Sequence, residues 1–418
     1  MDAVENIAIK ARTAALKLAA VGSAEKNSAL FEISRALVGQ TPEILAANAE
    51  DMAEAEGKIS KPMLERLALS EAKIKKMAEG VQQVAALPDP VGEIMETALR
   101  PNGLRIEKVR VPIGVIGIIY ESRPNVTVDC AALCLKSGNA SILRGGSECF
   151  KTNSALAKII SNALVKAGID ADCVQIIPTT DRAAFAKLLK LDKYVNCIIP
   201  RGGESLIRFV VENSSIPVIK HYKGVCTVYV DKSADADMAE KLLVNAKCQR
   251  PSVCNAAENL IVHSQTAESL LPRLAKALAE KGVELRASKR ASEILKKNNL
   301  AHICAAEEDF YTEYNDLIIA VDIVDSAEEA AEFINKYGSG HSDLIVASDA
   351  EAAEKFLNSV DSATVYWNAS TRFTDGFEFG FGAEIGISTD KLHARGPMGL
   401  KELCSYKYKI YGGGQMRT

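Results

Sequence analysis

Residues 114–144 read GVIGIIYESRPNVTVDCAALCLKSGNASILR, and the order of patterns in this stretch sets the fold. GVIGIIY is an apolar, β-branched run too short for a helix and too apolar for a strand with one wet face. A helical pattern near Thr127–Lys136 follows, and then a second short run, ASILR at 140–144. Two buried-type strands joined by a helix form a βαβ unit, which implies a parallel sheet covered on both faces. Downstream the alternation continues. A helix is expected near Thr152–Ala167, a strand in CVQIIP (173–178), a helix near Arg182–Leu189 and a strand in VNCIIP (195–200). A helix near Ser205–Glu212 and the run IPVIK (216–220) close this first series.

A second series opens near Gly224. It runs through CTVYV (226–230), a helix over Ala234–Cys248 and NLIVH (259–263). LIIAVDIV (317–324), a helix near Ala327–Asn335, DLIVAS (343–348), a helix near Glu351–Leu357 and ATVYW (363–367) complete it. Leu285–Asp309 reads as less regular and peripheral. Upstream, residues 1–100 read as helical, with apolar positions recurring at three and four in Ala29–Leu37 and Met63–Leu69. The fold class is therefore α/β, with two α/β domains. The end of the chain, Cys404–Tyr411, alternates aromatic and basic side chains as an edge strand does. Such an edge is a template for a second chain, so a homo-oligomer is expected.

A length of 418 residues exceeds what one simple core supports. The net charge of −4, with Lys and Arg interspersed among Asp and Glu, argues against a nucleic-acid partner. The most apolar stretch, Val111–Tyr120, carries two glycines and a proline and reads as a buried strand; no membrane association is expected. Asp2 and Glu5 precede the basic residues of the N-terminus, which argues against a targeting peptide. A cytoplasmic protein is expected. The ten cysteines follow no framework and suggest free thiols in a reducing compartment. Cys130 and Cys134 lie four apart on a helix, but no further Cys or His pair completes a zinc set, and histidines 221, 263, 302, 341 and 393 are isolated. No metal site is expected.

The segment richest in chemistry is CQRPSVCN, 248–255. Pro251 should end the preceding helix. Cys254 then sits just past the break and before Asn255-Ala256-Ala257-Glu258. A helical turn starting there would offer free N–H groups to a thiolate, and Arg250 would add positive potential. Such a thiolate is a good nucleophile towards an acyl carbon; the plain alternative is one more buried thiol. ASILRGGSE (140–148) and IIPRGGE (198–204) each run a strand into a Gly-Gly turn and a helix, which suits a phosphate. Arg144 ends the first strand as a phosphate ligand; neither turn is GxGxxG, and each alone is equally a tight turn. Asn125, in ESRPN, is either an oxyanion donor or a cap. His221 is a lone histidine, and the glycines of 376–386 mark a loop suited to closing over a substrate.

Together ESRPN, ILRGGSE, IIPRGGE, HYKGVCTVYVD, QRPSVCN and FEFGFGAEIGISTDKLHARGPMGL resemble the γ-glutamyl phosphate reductases of the aldehyde dehydrogenase superfamily. The resemblance runs along the whole chain. It implies an aldehyde dehydrogenase-like fold. A Rossmann-like NADPH-binding domain takes residues 1–104 and 117–223, a catalytic domain 224–395, and a small β oligomerisation flap 105–116 and 400–418. Cys254 matches the nucleophile, and Asn125, with the Cys254 N–H, the oxyanion hole. Arg144 stands where NAD-preferring relatives have a Lys, and Ser147 where they have a Glu that holds the adenine ribose, so NADPH is expected over NADH. Gly145, Gly146, Arg201, Gly202, Gly203 and Glu313 complete the expected cofactor contacts. His221 falls where hydrolytic relatives carry a water-activating Glu and is kept as a catalytic or cofactor candidate; its identity favours reduction. Ser370, Arg372, Arg123 and Arg250 are the candidate substrate ligands, with Arg372 first as a carboxylate clamp. The implied reaction is NADPH-dependent reduction of L-glutamyl 5-phosphate to glutamate 5-semialdehyde with release of phosphate, in proline biosynthesis. A glutamate 5-kinase is an expected partner. The competing readings are a hydrolytic NAD-linked semialdehyde dehydrogenase and a non-catalytic nucleotide-binding protein.

Overall fold

The structure, a computed structural model, describes residues 3–417. The chain divides into two compact units. The first holds residues up to Lys220 with Gly380–Gly386 and 398 onwards; the second holds His221–Phe379 and Ile387–Pro397. Against the expected boundaries, residues 221–223 join the second unit and 380–386 the first.

In the first unit, helices Ala3–Leu18, Ser23–Gly39, Thr41–Ala55, Lys61–Leu67 and Glu71–Ala86 form the expected helical start. They lead into a parallel four-stranded sheet. Its order across the sheet is Val174–Ile176, Ala140–Arg144, Val115–Tyr120, Cys197–Arg201. Val115, Ile119, Ala140, Ile142 and Ile198 pack from the sheet onto Ala8, Ala11 and Ala15 of the first helix; alanines there let the helix lie close to the sheet. IPVIK does not become a strand. It contributes one bridge, Val218 to Ile198, because Pro217 cannot donate to a ladder.

The flap has three strands. Ile94–Leu99 pairs antiparallel with Arg105–Pro112, which pairs antiparallel with Cys404–Tyr411. The first strand departs from the helical reading of residues 1–100. Five of its six residues are exposed, so it carries no inside–outside alternation that would betray it. These strands cluster with the first unit.

The second unit is a seven-stranded sheet, parallel throughout. The order is Ile303–Cys304, Glu284–Ala287, Ile318–Val324, Ala257–His263, Cys226–Val230, Ser342–Val346, Thr364–Trp367. Both faces are covered: Val228, Leu260, Val321 and Leu344 belong to one core, and Tyr229, Ile261, Ala320 and Ile345 to the other. Residues 285–309 lie at the edge, as expected. They are also regular, supplying the edge strand and the one next to it, with the helices Lys289–Lys297 and Glu307–Phe310. Among the described residues, no helix is long and apolar enough to cross a membrane.

Candidate active site

Cys254 lies in the turn between helix Ala236–Cys248 and strand Ala257–His263. Pro251 follows the helix end, as expected. No helix begins at Asn255, however. The chain turns once, with the Ala256 N–H donating to the Val253 carbonyl at 2.9 Å, and enters a strand. The β-branched run beyond Asn259 and complete burial on both faces favour the strand, so the thiol gains nothing from a helix N-terminus. Of the ten cysteines, Cys304 is exposed, Cys248 and Cys254 are partly exposed, and seven are buried. Burial raises the thiol pKa of Cys149 and Cys197 to about 12 and that of Cys226 well above its usual value.

The backbone at Cys254 is held from two sides. Cys226 Sγ donates to the Cys254 carbonyl at 3.3 Å. Gly224 lies so near that a Cβ there would overlap the Cys254 backbone. Gly224→Ala is therefore expected to lower stability by about 1–3 kcal/mol and to slow iodoacetamide labelling of Cys254. A thermal melt and a labelling time course check both; an unchanged protein refutes the packing role.

From the other side comes the loop 370–375. Asn255 Nδ2 donates to the Thr374 carbonyl at 3.0 Å, and Thr371 Oγ1 donates to the Asn255 carbonyl at 2.7 Å. Thr374 Oγ1 is itself bonded to Ser342 Oγ, Thr364 Oγ1 and Tyr366 OH at 2.6, 2.9 and 2.7 Å. Ser370 is buried, and its hydroxyl accepts from the Arg372 N–H at 3.3 Å. Arg372 is half-buried, and its Nε donates to Gln249 Oε1 at 2.9 Å. Burial, and then the neighbouring Arg250 guanidinium, lower the Arg372 pKa. Arg250 itself is exposed.

His341 is fully buried. Its Nδ1 lies 2.8 Å from Ser342 Oγ, its Nε2 has no hydrogen-bond partner among the described residues, and its ring centroid is 6.1 Å from that of His221. Burial holds its pKa down at about 3, so it is neutral in use. Glu313 is half-buried in the same unit, within electrostatic reach of Glu258. Lys247 and Glu258 flank the Cys254 turn as a fully buried pair at 2.6 Å.

In the first unit the candidates cluster at the carboxyl ends of the parallel strands. Asn125 is exposed in the first turn of helix Pro124–Lys136 and donates its Nδ2 to Asp129 Oδ2 at 2.9 Å. Burial pushes Asp129 up to about 6, against the pull of that bond and of Arg201. Ahead of it, Ser122 adopts φ 27°, an uncommon conformation for a residue with a side chain. Glu148 pins it, accepting from the Ser122 N–H at 2.8 Å and from its hydroxyl at 2.5 Å. Arg123 is exposed. The Arg144 guanidinium sits 4.8 Å above the Phe185 ring. Gly145 and Gly146 lead into the short turn Ser147–Cys149, with Ser147 exposed. Arg201 ends its strand, and beyond it Gly203 donates its N–H to Glu121 Oε2 at 2.9 Å.

Sequence patterns missed Ser122, Glu121, Glu148, Gly224, Cys226, Asn255 and Thr374. Their partners are 26–119 residues away, so no local spacing marks them.

A profile of the aldehyde dehydrogenase family matches residues 2–292. A γ-glutamyl phosphate reductase of Opitutus terrae is 58% identical over 414 residues, 99% of this chain and 97% of its own. The chain belongs to the γ-glutamyl phosphate reductases of the aldehyde dehydrogenase family. The reductase of Carboxydothermus hydrogenoformans is 55% identical across 100% of both chains. The crystal structure of the Thermotoga maritima reductase matches with a TM-score of 0.97 at 45% identity, covering 100% of each chain. An acetylating aldehyde dehydrogenase of Geobacillus thermoglucosidasius, 18% identical, shares the fold with a TM-score of 0.69 over 99% of this chain and 97% of its own. As a member of this family the chain is an oxidoreductase with the expected aldehyde dehydrogenase-like fold.

Proposed function

We propose that this reductase converts L-glutamyl 5-phosphate to L-glutamate 5-semialdehyde, with NADPH as reductant and Cys254 as nucleophile, in proline biosynthesis. The observation that carries the reading is the partly exposed Cys254, its backbone braced by Gly224, Cys226 and Asn255, with two arginines beside it. The names of the close relatives supply the substrate.

The Cys254 thiolate adds to the γ-acyl carbon. Asn125 and the Cys254 N–H are assigned to the oxyanion, each worth about 3 kcal/mol. The carbon–oxygen bond to phosphorus breaks, its electron pair leaves with phosphate, and an acyl-thioester remains. When bound, the nicotinamide supplies the hydride for the acyl carbon. The resulting thiohemiacetal collapses, the carbon–sulfur bond breaks, and the thiolate is restored with the aldehyde. Arg123, Arg250, Ser370 and Arg372 are assigned to the anionic and polar groups of the substrate. His221 supplies no carboxylate to activate water, which supports reduction over hydrolysis.

The residues at the carboxyl ends of the first sheet fit a phosphorylated dinucleotide. Gly202 and Gly203 are exposed, and Arg144 adds a cation. Ser147 presents no charge, while the neighbouring Glu148 carboxylate is spent on Ser122. An engineered glycolyl-CoA reductase of the same fold binds NADP+. Gly145, Gly146 and Arg201, with Glu313 of the second unit, are assigned to the cofactor. Ser147→Glu is expected to weaken NADPH relative to NADH by about tenfold or more, since like-charge juxtaposition costs several kcal/mol. Fluorescence titration checks this, and an unchanged preference removes Ser147 from the role.

The decisive assay is NADP+ reduction by glutamate 5-semialdehyde with and without inorganic phosphate. Phosphate dependence is expected; turnover without phosphate points to the hydrolytic alternative. The reading includes a cytoplasmic homo-oligomer assembled through the exposed Tyr406, Tyr408 and Ile410 of the flap, supplied with its unstable substrate by a glutamate 5-kinase.

A further inference from the structure

We infer that Arg250 and Arg372 form the subsite for the phosphoryl group of the acyl phosphate rather than a clamp for the amino-acid carboxylate. The inference rests on the proposed reading of Cys254 as nucleophile and deepens it.

The geometry brackets the thiol. Gln249, next to Arg250 in the chain, accepts from Arg372 Nε at 2.9 Å. Asn255, next to Cys254 on its other side, donates to the Arg372 carbonyl at 3.4 Å. The Arg372 side chain is thus tethered ahead of the nucleophile and its backbone behind it. Arg250 has no hydrogen-bond or ion-pair partner among the described residues, and its charge acts on Arg372 as a repulsive neighbour. Asp375, the carboxylate that also acts on Arg372, is committed to the N–H groups of Phe377 and Glu378 at 2.8 and 3.3 Å. Two guanidiniums acting on one another cost free energy, and a dianion offsets that cost.

The substrate's covalent structure decides which anion. In glutamyl 5-phosphate the acyl carbon bonds to sulfur, and phosphorus is two bonds beyond that carbon through one oxygen. The α-carboxylate carbon is four carbon–carbon bonds away in the opposite direction. An anion site built from residues on both sides of the cysteine therefore suits the phosphoryl group. When the carbon–oxygen bond breaks, negative charge grows on the oxygen that departs with phosphorus, and the two cations stabilise it. The planar guanidinium fork matches phosphate oxygens in pairs.

The test needs no cofactor. Iodoacetamide labelling of Cys254 is timed by peptide mass spectrometry in Cys304→Ser protein, with inorganic phosphate or L-glutamate as protectant. Phosphate is expected to slow labelling, both by occlusion and by making the thiol harder to ionise. In Arg250→Gln or Arg372→Gln protein the phosphate needed for half-protection should rise by roughly tenfold or more. Arg250→Lys, which keeps the charge, should recover part of it, which a merely structural role would not. Arg250 is exposed, so its variants test the idea without disturbing a core. Protection by L-glutamate alone overturns the inference in favour of a carboxylate clamp. Protection by neither anion, or phosphate protection equal in all variants, also overturns it. Failure of the underlying reading looks different: the unaltered protein then shows no phosphate-dependent NADP+ reduction.

Discussion

Cys254→Ala protein is expected to lose phosphate-dependent NADP+ reduction by at least ~10⁴-fold, the scale seen when a nucleophile is removed from a covalent mechanism. No neighbouring thiol can substitute. Cys226 touches the Cys254 backbone, donating to its carbonyl, but it is fully buried and its pKa is driven upward. NADPH binding, assigned to residues other than Cys254, should be unchanged in a fluorescence titration. Mass spectrometry of protein incubated with the semialdehyde and NADP+ should show an acyl adduct on Cys254 in the unaltered protein and none in the variant. A variant that retains full turnover removes the mechanism.

The second large effect is on stability. Lys247 and Glu258 are both 0% exposed, with Nζ and Oε2 2.6 Å apart, and Glu258 Oε1 also accepts the Asn315 N–H at 3.3 Å. Lys247 lies in the last turn of the helix before the Cys254 turn, and Glu258 is the second residue of the strand after it. Lys247→Met leaves a carboxylate buried with a single backbone donor, at an expected cost of about 3–5 kcal/mol. Changing both residues, Lys247→Met with Glu258→Leu, should recover most of that loss. Burial already raises the Glu258 pKa above its ordinary value, and loss of the ammonium raises it further. A carboxyl raised on folding makes the native state bind more protons than the unfolded chain, so stability falls as pH rises. The deficit of Lys247→Met should therefore shrink as pH is lowered from about 8 towards 5, the window between a raised folded value and the usual Glu value. Thermal melts across that range decide it; a deficit independent of pH would show that packing, not charge, is at stake.

The sequence made both sheets legible because their strands are short, apolar and separated by amphipathic helices, as in 114–144. Ile94–Leu99 is not legible as a strand because an exposed strand in a three-stranded flap has no buried face to impose alternation. The turn after Cys254 reads as a helix start for a related reason. Asn-Ala-Ala-Glu has no strand character of its own, and only its place in the middle of a seven-stranded sheet makes Ala257 and Glu258 extended. Cys254 and Pro251 were visible because a helix breaker beside a cysteine is local. The supports at Gly224, Glu148 and Thr374 were not, since each acts on a residue far along the chain.

The proposed site residues sit at opposite ends of the two sheets. In the first unit, Arg144-Gly145 and Arg201-Gly202 follow the strands that carry them, at the carboxyl edge where ligands of open α/β sheets usually bind. In the second, Gly224, Cys254 and His341 all precede their strands. Its carboxyl edge is given instead to the capping residues Asp235, His263, Ser326 and Asp349, which start the helices. A fluorophore or affinity tag inserted at that rim, in the Ser348–Asp349 turn, is expected to report on the protein without intruding on the thiol.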